Sequence, residues 1–179
     1  MSATGTLVGL RRRLATTRAL TGFGAIYVVS QATIGVIIHP LGTVKFLRAQ
    51  TSFSRETFLA LTAEWERAHL LGRYWLHFRF DFVHPLWYAC LLAGLLARML
   101  DRRAAGPRAN ALLVLPFAAG AMDLVENSFQ VHLLARRPDV SQVAITASAI
   151  ASNGKWLLAA SSLLVAAGLA LAGRRRGDD

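Results

Sequence analysis

Leu115-Pro-Phe-Ala-Ala-Gly-Ala-Met-Asp-Leu-Val-Glu-Asn-Ser-Phe-Gln-Val-His132 decides the reading of this chain, because a run long enough to cross a hydrocarbon layer carries Asp123, Glu126, Asn127, Gln130 and His132. At 100° per residue, Asp123, Glu126, Asn127 and Gln130 occupy about a quarter to a third of a helix circumference. Pro116, Ala119 and Gly120 lie on or beside that arc. A carboxylate at membrane depth costs roughly 2 to 3 kcal/mol on insertion scales, so these side chains must point into protein and find partners there. The rest of the chain is expected to supply them.

Composition agrees with a membrane reading. The chain has 179 residues, 54% of them hydrophobic, and a mean hydropathy of +0.41, too apolar for an ordinary soluble domain and short enough for one unit. Its net charge of +10 comes from arginines clustered at the ends of apolar runs. There they meet phospholipid head groups and set orientation, which argues against nucleic acid as a partner. Cys90 is the single cysteine, so no intrachain disulfide can form.

Working outward, the sequence predicts an all-α integral membrane protein: a four-helix transmembrane bundle with an amphipathic surface helix between spans 1 and 2. A basic N-terminal tail, 1–18, carries Arg11, Arg12, Arg13 and Arg18. The membrane domain covers 19–173, and a basic tail, 174–179, carries Arg174, Arg175 and Arg176 as a stop-transfer cluster. Span 1 runs from Ala19 to Ile38, with Gly24, Tyr27, Gln31 and Gly35 on the face that meets other helices. In the connection after it, Ser54 is an N-cap, and Phe58, Leu61, Trp65, Ala68 and Gly72 recur at helical spacing. Span 2 runs from about Phe80 to Met99, led by an interfacial aromatic group of Tyr74, Trp75, Trp87 and Tyr88 and loosened by Pro85. Span 3 is about Ala109 to Leu134. Span 4, about Val140 to Ala172, carries Ser141, Ser148, Ser152, Lys155, Ala159 and Ser162 on one face, and Ala147 and Ala151 allow close helix approach.

An even number of spans puts both tails and the Arg98 to Arg108 loop on one side, which the positive-inside rule makes cytoplasmic. Helix rise then sets Gln31, Asp81, His84, Glu126, Asn127, Gln130 and Asn153 between the midplane and the other surface, with Asp123 and Lys155 near the middle. The expectation is a buried polar pocket, wider toward the outside, in which Lys155 balances Asp123 or Glu126.

The candidate catalytic residues are Asp81, His84, Asp123, Glu126, Asn127 and Lys155. Two span-3 acids plus Asp81 outnumber the one lysine near them, and a surplus carboxyl that can accept a proton is a common mark of a site. In an enzyme, Glu126 or Asp123 would move a proton with His84 as partner acid or base. Lys155 and Asn127 would hold an anionic group or steady developing charge on a lipidic or amphipathic molecule. Two alternatives stand beside this: a structural protein whose ion pairs only fix helix packing, and a proton-coupled carrier acting as an oligomer. His77, Asp81 and His84 have a permissive spacing for metal, but Lys155 would repel a cation nearby, so neither a metal nor a cofactor is expected. Serines without a visible base make covalent catalysis a weak reading. Membrane lipids, a lipidic ligand and a second copy of the chain are the expected partners. His39 and His132, at span ends, read as interface residues.

Overall fold

In a computed structural model that describes residues 3–174, every regular element is a helix. They are α1 (Ala3–Leu14), α2 (Thr17–Ile38), α3 (Thr43–Thr51), α4 (Arg55–Arg67), α5 (Leu71–Asp81), α6 (His84–Arg102), α7 (Val114–Arg136) and α8 (Gln142–Arg174). Arg175 and Arg176, read as a stop-transfer signal, lie outside the described residues.

Three helical stretches are long and apolar enough to cross a membrane: Thr17–Leu41, Pro107–Arg136 and Gln142–Ala172. A fourth crossing exists if α5 and α6, bent by 48° at the break between them, count as one span. The expected span from Phe80, loosened at Pro85, is in fact broken there. Pro85 has no N–H to offer the carbonyl of Asp81 one turn earlier, so the helix stops at Asp81 and restarts at His84, with proline in the favoured first turn.

The described residues pack as two compact units. The first draws on 1–27, 86–120 and 156–179. Its core is Leu96, Ala97, Leu100 and Leu113. Here the supposed tail is ordered as α1, held by Arg11, whose Nε lies 2.6 Å from Asp101 and whose Nη1 donates to the Ala105 carbonyl at 2.9 Å and to Asn110 Oδ1 at 3.0 Å. Gly94 lets α6 approach the end of α1 so closely that a Cβ would sit 2.8 Å from the Leu14 carbonyl oxygen.

The second unit comprises Val28–Pro85 and Ala121–Lys155. Ser54 caps α4 as its sequence predicts, accepting the Thr57 N–H at 3.0 Å. Glu56, in the first turn of α4, is held below the usual carboxylate range by its backbone hydrogen bond and then by the Ser54 hydroxyl. A depressed carboxyl stabilises above its unfolded value, so this support for the cap is lost as pH falls.

The apolar face of α4 is shorter than expected. Phe58 and Trp65 are buried, but the helix ends at Arg67, and Ala68 and Gly72 are exposed. The Trp65 indole donates to the Leu41 carbonyl at 3.0 Å. Tyr74, expected at a membrane interface, is fully enclosed with Phe46, Phe58, Phe78 and Leu133 in the core. On α2 the buried residues are Ile34 and Ile37, and Gln31 is exposed, so the face drawn through Gln31 is off by about one residue of rotation.

Candidate functional site

Helix α7 carries the polar arc into the second unit as its spacing requires: Asp123, Glu126, Asn127 and Gln130 are all buried. Facing them, α8 presents Ser148, Ser152 and Lys155, also buried, while Ser141 at its start is exposed. Lys155 Nζ lies 2.8 Å from Asp123 Oδ1 and 2.6 Å from Glu126 Oε2, so the ammonium is shared by both carboxylates. The Asp123 contact is a directed hydrogen bond. The Glu126 contact is an ion pair, and beyond it neither Glu126 oxygen has a hydrogen-bond partner although the side chain is 0% exposed.

Asp81 completes the cluster from the end of α5. It is buried, and the charges of both Asp123 and Lys155 act on it. Its backbone carbonyl, orphaned by Pro85, accepts a hydrogen bond from Asn127 Nδ2 at 3.0 Å. Asn127 thus supplies a donor to a buried carbonyl that its own broken helix leaves without one. Its Oδ1 remains without a partner, as do His77 Nε2 and Ser152 Oγ. Interiors leave few such atoms, and all of these belong to the second unit.

Beside the charges lies a neutral network. Tyr74 donates its hydroxyl to Gln130 Oε1 at 2.7 Å, and Gln130 Nε2 donates to Ser148 Oγ at 3.0 Å. His77 is fully buried and stacks on Tyr74 with centroids 4.9 Å apart. Its Nδ1 meets the Tyr74 carbonyl. Tyr74, His77, Phe78 and Asp81 follow i, i+3, i+4, i+7, a signal that could have placed Tyr74 inward.

His84, the last of the six candidates, is buried with Nδ1 2.9 Å from Ser30 Oγ. The second unit therefore brings together Asp81, Asp123, Glu126, Asn127 and Lys155, and the charges of Asp123 and Lys155 reach His84. Gln31, His132 and Asn153 are exposed, and Asn153 donates to the Thr51 carbonyl at 3.0 Å.

The charged side chains of the expected buried pocket are enclosed, none of their residues more than 8% exposed. A groove of about 510 Å³ runs over α5, lined by Trp75, Leu76, Phe78, Arg79 and Phe82. Another of about 440 Å³ is lined by Leu124, Phe129, His132 and Ala144. Among the described residues no three of His, Cys, Asp and Glu form a metal-binding group. For His77, Asp81 and His84 the reason is the break, which removes their common helical face.

The fold and the cluster define a class: an all-helical chain with apolar helices of membrane length and a lysine shared by buried carboxylates. No protein-family model, curated protein or solved structure matches the chain.

Proposed function

We propose that this chain is a four-span membrane protein, with α5 and α6 together forming the second span and both termini cytoplasmic. Its cluster of Asp81, Asp123, Glu126, Asn127 and Lys155 is an acid–base site for a lipidic or amphipathic small molecule. Lipid is its medium, and a second copy of the chain is compatible with its exposed apolar surface.

One observation carries the reading. Two carboxylates share one ammonium, a third, Asp81, lies in its field, and the most deeply buried of them, Glu126, is held by that ion pair alone. A network evolved only for packing gains most when every buried polar atom is satisfied. A site must instead leave a group able to take or give a proton. Glu126 is the proton-transfer group, Lys155 and Asp123 set its field, and His84 is the second proton carrier. The reaction class is isomerisation, or hydrolysis through an activated water.

A second reading, a network that only fixes helix packing, draws support from the closed state of the cluster. Glu126→Gln separates the two, since it keeps the shape and leaves Asp123 to hold Lys155. For a site, the variant accumulates to the wild-type level with an unchanged melting temperature and the phenotype of a deletion strain. For packing alone, melting falls and any phenotype follows protein level. Lipid and metabolite profiles of the deletion strain then separate catalysis, which leaves a precursor to accumulate, from carriage, which alters distribution without new chemistry.

A further inference from the structure

We infer that Ser30 is a nucleophile activated by His84, acting on an ester or amide of a long-chain acid that reaches it from the lipid side. For its substrate class the inference rests on the proposed function. The nucleophile stands on separate geometry.

Hydroxyls in apolar helices ordinarily return to their own backbone one turn back. Thr33 does so on the Val29 carbonyl at 2.9 Å, Ser128 on Leu124 at 2.8 Å and Ser162 on Leu158 at 2.8 Å. Ser30 reaches across instead, placing its Oγ 2.9 Å from the Nδ1 of an imidazole 54 residues away. That distance is the one a nucleophile keeps from its general base. The Asp123 carboxylate and the Lys155 ammonium both act on the base, His84. The charge of Asp123 favours the imidazolium that forms when His84 takes a proton, and that of Lys155 opposes it. Ser30 itself is only half-buried, and Val28 and Val29 beside it are exposed, so an acyl chain in the surrounding lipid has a path to it.

With the ring proton on Nε2, Nδ1 accepts the Ser30 hydroxyl proton as Oγ bonds to the acyl carbon and the carbonyl π pair moves onto oxygen. Collapse of that tetrahedral species breaks the bond to the alcohol or amine, which departs with the proton from Nδ1. Water, deprotonated at the same nitrogen, then attacks acyl-Ser30, releases the carboxylic acid and returns the hydroxyl. No oxidant or reductant is needed.

The test uses the full chain in detergent or nanodiscs, treated with a long-chain alkyl fluorophosphonate and mapped by mass spectrometry. The expected result is one phosphonyl group on Ser30 of the wild type, none on heat-denatured protein and none on Ser30→Ala. In His84→Ala the labelling rate should fall by a factor of about 100 or more, the usual worth of a general base. Wild-type protein unmodified at Ser30 overturns the proposal, whatever the variants do. Labelling that is as fast in His84→Ala or in denatured protein overturns it too, leaving the hydrogen bond as a helix cross-link. If Ser30 is labelled while Glu126→Gln retains the cellular phenotype, the nucleophile stands and the acid–base reading falls. If Ser30 is inert while folded Glu126→Gln loses that phenotype, the reverse holds.

Discussion

Replacing Lys155 with methionine removes the cation from between Asp123 and Glu126 and leaves two buried carboxylates facing each other. Breaking a buried pair from one side costs about 3 to 5 kcal/mol, far more than the pair itself contributes over an apolar substitute. Lys155→Met is therefore expected to melt well below the wild type in detergent. Adding Asp123→Asn and Glu126→Gln should recover most of the loss, as differential scanning fluorimetry can measure. The acidic arc was legible because helical periodicity alone brings Asp123, Glu126, Asn127 and Gln130 to one side. Lys155 was legible as a lone lysine within an apolar run. Ser30 was not, since nothing local marks it and its partner lies 54 residues away. Tyr74 was misread because an aromatic residue beside charged ones looks the same in sequence at a membrane interface and in a core.

At the scale of elements, the break between α5 and α6 and the Asn127 side chain form one device. Asn127→Leu leaves the Asp81 carbonyl without its donor, an expected loss of about 1 to 3 kcal/mol. Pro85→Ala restores an N–H at the position that could close the turn, so it should make the chain less sensitive to Asn127→Leu. A double-mutant cycle of thermal stabilities with no coupling between the two positions would refute this account. Gly94→Ala is the second element-scale case. Helix propensity favours alanine by about 1 kcal/mol, but its Cβ would meet the Leu14 carbonyl at 2.8 Å, a backbone atom that cannot swing aside. Overpacking of this kind costs about 1 to 3 kcal/mol, so a net drop in melting temperature is expected. The long apolar helices were readable from hydropathy. Helix α3 was not, being nine residues between Gly42 and Ser52, and α1 looked like a tail because its arginines hid the single inward one.

For the molecule as a whole, the question that composition left open is whether α5 and α6 cross the membrane as one. Single cysteines at Ala60, Arg108 and Asp139, in a chain with Cys90 replaced, decide it with an impermeant maleimide on intact cells. With the N-terminus inside, as proposed, four spans put Ala60 and Asp139 outside and Arg108 inside. Three spans exchange Arg108 and Asp139. Labelling only at Ala60 and Asp139 is the expected pattern. The arginine clusters bear on orientation only through the parity of the spans, and parity turns on Pro85, whose effect depends on what its neighbours can repair. Depth can be read without any substitution, because of how Trp65 is enclosed. Acyl chains carrying bromine extinguish indole emission on contact, so they should spare Trp65, 2% exposed, and dim Trp75 and Trp156, which are 39% and 52% exposed. With the half-buried Trp87 replaced by phenylalanine, a residual, blue-shifted glow after full quenching would then report the packing of the last turn of α4 against Leu41.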